Sequence, residues 1–181
     1  MKNLKFLIFS SLFAILISIG SYIYLPLPFT PVPLTFQLFF VLLSGILLGP
    51  FYGFLSILIY IILGIMGLPV FAGGGSGLGY LFGKTGGYLL GFLISPIIVG
   101  NLFRLNKKLL ILAIFSGIFI VHLLGILYLS KVLSINFFKA FTLGSLPFIP
   151  IDIIKGLLTY IVSIILLKNS YIKRLFFIKS F

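Results

Sequence analysis

Long apolar runs, separated by short polar or proline- and glycine-rich segments, set the outline of this chain. The first run extends from about Leu4 to Leu25 and stops at Pro26. A loop follows, Pro26-Leu27-Pro28-Phe29-Thr30-Pro31-Val32-Pro33-Leu34-Thr35, whose prolines cannot complete a helix ladder. From Phe36 to Met66 the chain is apolar again, broken by Gly49-Pro50. As one straight helix that stretch would be roughly 45 Å long, well beyond a hydrocarbon core of ~30 Å. A tight hairpin at Gly49-Pro50 is therefore expected, with spans over 36–49 and 51–66. A glycine-rich stretch over 67–79 leads to a fourth span at 83–101, and a fifth covers 109–130. Residues 131–148, with Lys131 and Lys139, suit a short interfacial helix; the sixth span is 149–168, and a basic tail follows.

This pattern predicts an all-α fold: a polytopic membrane protein, a compact bundle of six transmembrane helices with irregular outer loops, forming one integral-membrane domain over 1–181. Composition agrees: 61% of the residues are hydrophobic, 8% are charged, and the mean hydropathy is +1.37. Lys2 and Lys5 ahead of an apolar run resemble the start of a signal peptide. The run continues to Leu25 without a small-x-small cleavage site, so it reads as a retained first span. The absence of cysteine excludes disulfides, thiol nucleophiles and thiolate metal sites.

The formal net charge of +12 changes the picture in one respect. The cations cluster at segment ends, as the positive-inside rule expects, and this is a better account than nucleic-acid binding. Six spans put both termini on one side. Lys2, Lys5, Arg104, Lys107, Lys108 and the tail (Lys168, Lys173, Arg174, Lys179) all assign that side to the cytoplasm. The proline loop, the glycine loop and the approach from Pro147 to Asp152 then share the outer side. Non-helical backbone at membrane depth is tolerated where it lines a cavity, so a ligand site open to the outside is expected there. No convincing inverted repeat supports the usual secondary-transporter architecture.

Several motifs carry candidate chemistry. Gly79-Tyr80-Leu81-Phe82-Gly83-Lys84-Thr85 looks like a phosphate-binding loop but is one residue short and lacks a flanking strand–helix unit, so Lys84 reads as an interfacial lysine. Gly74-Gly75-Ser76-Gly77 has the Gly-x-Ser-Gly form of rhomboid intramembrane proteases, and His122 lies in a later span. The plainer roles are a glycine-rich loop and a hydrogen-bonded packing histidine. Ser10, Ala14 and Ser18 repeat every four residues on one face of the first span, which suits close helix approach, either inside this bundle or against another membrane subunit. Glycines 73, 74, 75, 77 and 79 form either a flexible loop or a place where backbone N–H groups approach a ligand. Tyr52, Tyr80, Tyr88 and Phe71 are candidates to stack on a ring, set against plain packing.

Asp152 is the only acidic side chain, and Lys155 stands three residues after it, on one helix face. Ionisable groups at membrane depth are costly and mark functional sites. The pair is either a mutually neutralised structural contact or a grip for a polar ligand, with Asp accepting from N–H groups and Lys donating to carbonyl or carboxylate.

Taken in order, Pro31-Val32-Pro33-Leu34-Thr35-Phe36-Gln37, Leu48-Gly49-Pro50-Phe51-Tyr52-Gly53, Gly67-Leu68-Pro69-Val70-Phe71-Ala72-Gly73-Gly74, Thr85-Gly86-Gly87-Tyr88-Leu89-Leu90-Gly91-Phe92 and Leu146-Pro147-Phe148-Ile149-Pro150 with Asp152 and Lys155 resemble the BioY family. These are the biotin-specific substrate-binding (S) components of energy-coupling factor transporters. The resemblance covers about residues 10–168. Lys84 stands where the family usually has Pro, and Ile151 where it usually has Gly; Ser76 is the only polar side chain between Gly73 and Gly79, where the family often has Asn.

The resemblance implies a six-helix bundle, not an enzyme, that takes biotin from outside with no cofactor. It would deliver the vitamin across the cell membrane with a transmembrane coupling subunit and two cytoplasmic ATPases. It further implies substrate contacts at Asp152, Lys155, Gln37, Phe71, Gly73, Gly74, Gly75, Ser76 and Tyr88, and docking of the coupling subunit on Ser10, Ala14 and Ser18. An S component for another vitamin is the alternative, and an intramembrane serine protease a distant one.

Overall fold

The computed structural model describes residues 2–176, and for Lys2 and Asn3 the backbone alone. The Lys2 side chain and Lys179, both used above to orient the chain, lie outside the described residues. Helix α1 (Lys2–Tyr22) ends three residues short of the span expected from hydropathy. Tyr24 and Leu25 (β1) instead pair antiparallel with Leu34 and Thr35 (β2), closing the proline loop into a flap. The Phe36 N–H donates to the carbonyls of Gly20 and Ile23, at 3.0 and 3.2 Å, which ties the flap to the end of α1.

Helix α2 (Gln37–Ile65) is two rods, not one. Gly49 has φ +80° and ψ −176°, a conformation in which the chain reverses. A methyl group placed on Gly53 would lie 3.2 Å from the Gly45 Cα, and the Gln37 side chain bonds the Tyr60 hydroxyl at 2.6 Å. In a straight helix those last two residues would stand roughly 35 Å apart. Pro50 opens the second rod, where its missing N–H has no helical acceptor to lose. The Arg104 guanidinium closes the turn: it donates to the Leu48 carbonyl at 3.2 Å and fills the space that a side chain on Gly49 would need. The Leu48 carbonyl is among those left without a helical partner at the end of the first rod.

Beyond α2 come a 3-10 turn (Ala72–Gly74), α3 (Leu78–Leu81), α4 (Gly86–Leu105), a second 3-10 turn (Lys107–Leu109), α5 (Leu110–Val132), α6 (Phe137–Gly144), α7 (Ile149–Lys168) and α8 (Ser170–Leu175). Among the described residues five helices are long and apolar enough to cross a membrane. Because α2 is folded in two, the bundle has six rods, and the chain is a multi-pass membrane protein. The fourth span begins at Gly86, not 83, because Gly83-Lys84-Thr85 form the turn that leads into it. The Asn136 side chain accepts the Lys139 N–H at 2.8 Å and starts the short α6 between the fifth and sixth rods.

Small residues set how closely the rods approach. Gly45 lies against Pro96 of α4, and Gly87 and Gly91 of α4 lie against the α5 backbone at Gly125 and Val121. In the Ser10–Ala14–Ser18 stripe, expected to dock a partner subunit, Ser10 and Ala14 make the same class of contact inside the chain, while Ser18 is half-buried. Ser10 and Ala14 are fully buried within the chain, the Ser10 hydroxyl donates to the carbonyls of Phe6 and Tyr52, and that of Ser18 donates to Ala14. The stripe is the seam between α1 and the α2 hairpin. Lipid-facing positions of α1 carry Leu7, Ile8, Leu12, Ile15 and Ile19 instead.

Gly49→Ala is expected to destabilise the bundle by more than about 2 kcal/mol. It places a side chain at positive φ, which alone costs ~1–2 kcal/mol, and displaces Arg104. A thermal melt of the detergent-purified variant against the parent protein measures this.

Candidate functional site

Helix α7 starts at Ile149, and its first turn carries Asp152, near the positive end of the helix dipole. One turn on, Lys155 Nζ donates to Asp152 Oδ1 at 2.7 Å. From α5, His122 Nε2 meets Asp152 Oδ2 at 3.1 Å, while His122 Nδ1 meets the Ser145 hydroxyl at 2.8 Å. All four side chains are buried. The Tyr88 hydroxyl on α4 donates to the Gly144 carbonyl and so holds the turn that carries Ser145. Gly125 has no room for a side chain because the Tyr88 ring occupies it, and Gly144 has none because the Tyr88 hydroxyl and the Leu129 side chain do.

Asp152, Lys155 and His122 form one wall of an internal cavity of about 70 Å³. A second polar wall comes from the hairpin and the flap. There the Thr35 hydroxyl donates to Gln37 Oε1 at 3.1 Å, and Gln37 Nε2 to the Tyr60 hydroxyl at 2.6 Å. Between the two walls the lining is apolar, from Leu38, Leu89, Phe92, Val121 and Phe148. The roof is Val32 and Pro33 of the proline loop, Ala72, Tyr80 and Thr85. Outside it lies a second, more open chamber of about 400 Å³ that shares Pro33, Ala72, Tyr80 and Thr85 and has Lys84 on its rim. Burial pushes the Tyr80 phenol above its ordinary pKa, so it stays a hydrogen-bond donor at physiological pH; its bond to the Ala72 carbonyl is long, at 3.4 Å.

Of the residues expected to contact a ligand, Asp152, Lys155, Gln37 and Tyr88 line the cavity. Phe71 does not. It is fully buried behind the wall, edge-on to Tyr60 (centroids 5.5 Å apart) and stacked on Tyr80 (4.9 Å), where it supports two lining rings. Gly73, Gly74, Gly75 and Ser76 are likewise placed outside the cavity wall. Their backbone is used by the loop itself: Phe71 N–H donates to the Gly75 carbonyl at 3.0 Å and Gly74 N–H to that of Phe71 at 2.9 Å. Gly73 and Gly74 adopt positive φ to make that turn, and Ser76 is exposed. The loop therefore shapes the roof and reaches the cavity only through Ala72.

His122, Ser145, Tyr60 and Thr35 were not among the expected site residues. His122 had a usable signal, as the only histidine in an otherwise apolar span. Tyr60 had one as well. Once the chain turns at Gly49, residues equally far on either side face each other, which brings Tyr60 opposite Gln37. The pairing of Ser76 with His122 is not present: both His122 nitrogens are engaged by Ser145 and Asp152.

The BioY family profile matches residues 1–171. The chain belongs to the BioY family. It is 44% identical over 154 residues to a probable biotin transporter BioY of Pyrococcus horikoshii, covering 84% of this chain and 90% of that one. It is 40% identical over 167 residues to the biotin transporter BioY of Thermotoga maritima, covering 90% and 95%. The solved structure of the S-component for biotin from an ECF-type ABC transporter superposes with a TM-score of 0.87 at 30% identity, over 97% of both chains. This solved neighbour shares the fold described above over nearly its whole length.

The bond from Tyr88 to the Gly144 carbonyl holds the polar wall to α4. Tyr88→Phe removes the donor and leaves a buried carbonyl unsatisfied, so a loss of about 1–3 kcal/mol is expected, measured as a shift in the unfolding midpoint.

Proposed function

We propose that this BioY-family chain captures biotin at the outer face of the cell membrane. It then delivers the vitamin inward as the S component of an ECF-type transporter, together with a transmembrane coupling subunit and two cytoplasmic ATPases. The observation that carries the reading is the single carboxylate, held by Lys155 and His122 on the wall of an otherwise apolar and aromatic cavity. Biotin has a ureido group with two N–H donors and a carbonyl, a hydrophobic fused ring, and a carboxylate tail. Asp152 accepts a ureido N–H, Lys155 donates to an oxygen of the ligand, and Phe92, Leu89, Tyr88 and Phe148 enclose the ring system. A site built to match buried donors and acceptors rejects analogues that lack them.

The basic positions Arg104, Lys107, Lys108, Lys168 and Arg174 favour a cytoplasmic location for both termini, which leaves the roofed cavity on the outer side. On that side the cavity adjoins the open chamber of about 400 Å³, with which it shares Pro33, Ala72, Tyr80 and Thr85.

Isothermal titration of biotin, riboflavin and thiamine into detergent-purified protein tests the reading, with biotin alone expected to bind tightly. Binding of another vitamin in its place would overturn the choice of ligand. Asp152→Asn and Lys155→Ala are each expected to weaken biotin binding by at least about tenfold, as the loss of a charge-assisted hydrogen bond implies. Both should keep the helical circular-dichroism signature of the parent; unchanged biotin affinity in both variants would remove these residues from the site.

A further inference from the structure

The only histidine and the only acidic side chain of this chain meet across α5 and α7, and the account of biotin binding above gives the histidine no task of its own. Asp152 Oδ2 accepts from His122 Nε2, because a carboxylate oxygen has no proton to give in this pair. Nε2 therefore carries a hydrogen, and in the neutral ring Nδ1 keeps a lone pair, to which the Ser145 hydroxyl at 2.8 Å donates. Ser145 is itself tightly placed. Its N–H donates to Phe141 at 3.0 Å, and its carbonyl accepts from Phe148 at 2.9 Å and Ile149 at 3.0 Å, at the entrance to α7. His122 also borders an open apolar groove of about 390 Å³ between α5, α6 and α7, lined by Phe115, Ile118, Phe137, Phe141 and Ile153.

We propose that His122 and Ser145 are positioning residues for Asp152: Ser145 fixes the tautomer and tilt of the imidazole, and the imidazole fixes which lone pairs of the carboxylate face the ligand. The inference rests on the reading that Asp152 receives an N–H of biotin. With Oδ1 held by Lys155 and Oδ2 by His122, the carboxylate plane is pinned at both ends, and its remaining lone pairs are directed into the cavity. Without the histidine, the second oxygen turns onto the Lys155 ammonium, and the pair satisfies itself at the expense of the ligand.

Because Asp and His each occur once, selective labelling gives one side-chain carboxyl resonance and one imidazole. Chain labelled with [15N]histidine and [13Cγ]aspartate, without ligand, is expected to show the Nε2–H tautomer. Ser145→Ala should move the Nδ1 resonance while Nε2 stays protonated. His122→Leu should move the Asp152 carboxyl resonance, and His122→Gln, whose amide keeps an N–H donor, should leave it closer to its original position. In biotin titrations His122→Leu is expected to weaken binding about tenfold or more, as losing a charge-assisted hydrogen bond implies. His122→Gln should restore most of that loss, and adding Ser145→Ala to His122→Leu should weaken binding no further, since Ser145 acts through the ring.

An Nδ1–H tautomer in the parent protein overturns the proposal, as does an unmoved Asp152 resonance in His122→Leu or additive losses in the double variant. Should His122→Leu fail to fold, the parent tautomer and the Ser145→Ala shift still decide the matter. Failure of the parent chain to bind biotin would count against the ligand assignment, whereas the ligand-free spectra test the positioning alone.

Discussion

The rest of the structure is organised around one constraint: a single carboxylate inside an apolar bundle has to be matched on both of its oxygens. Stripping a carboxylate of water costs several kcal/mol even after the protein relaxes, and one good partner does not offset that alone. Lys155 comes from the same helix and needs only the helical repeat to arrive. The second partner, His122, has to be delivered by α5, and its far nitrogen then needs Ser145 from the turn before α7. That turn is held in place by Tyr88 from α4, which reaches it only because Gly125 leaves room for its ring and Gly144 for its hydroxyl. The glycine seams between α4 and α5 therefore serve more than packing: they set the distance at which the polar contacts close.

Much of this was legible in the residues. The apolar runs, the improbable length of a straight helix from 36 to 66 and the Gly49-Pro50 pair were enough to predict the reversal and a six-rod bundle. Asp152 and Lys155 stood out because charge is so scarce around them. Less legible was anything that depended on where a face points once the rods pack. The stripe of Ser10, Ala14 and Ser18 has the same spacing whether it meets a sister helix or a foreign one, and only the burial of Ser10 and Ala14 decides between them. Glycines 73 to 75 have two physical uses, close approach to a ligand and positive-φ turning. The hydrogen bonds within the loop show the second use. Phe71 was recognised as important, but it works from behind the wall.

A structural ion pair and a ligand grip at Asp152 are compatible in this geometry. Lys155 and His122 together use one contact on each carboxylate oxygen, which is enough to keep the group buried and too little to exhaust its accepting capacity. The same residues can hold the empty site together and still offer the ligand an acceptor. The opposite wall behaves in a similar way. Thr35, Gln37 and Tyr60 bond to one another, yet the Gln37 amide has a second N–H beyond the one given to Tyr60.

The reversal at Gly49 has a mechanical consequence. Both ends of the α2 hairpin lie at the same face of the bundle, and each continues directly into part of the roof. The proline flap enters at Gln37, and the glycine loop leaves beyond Ile65, where the Gly77 N–H bonds back to the Gly64 carbonyl at 2.7 Å. The two coverings of the cavity are thus the two arms of one folded spring. Its bend is clamped by Arg104 at the opposite face of the membrane. From that clamp the two rods run to the two arms of the roof, roughly 20 Å along the first and roughly 24 Å along the second at the ~1.5 Å rise of a helix.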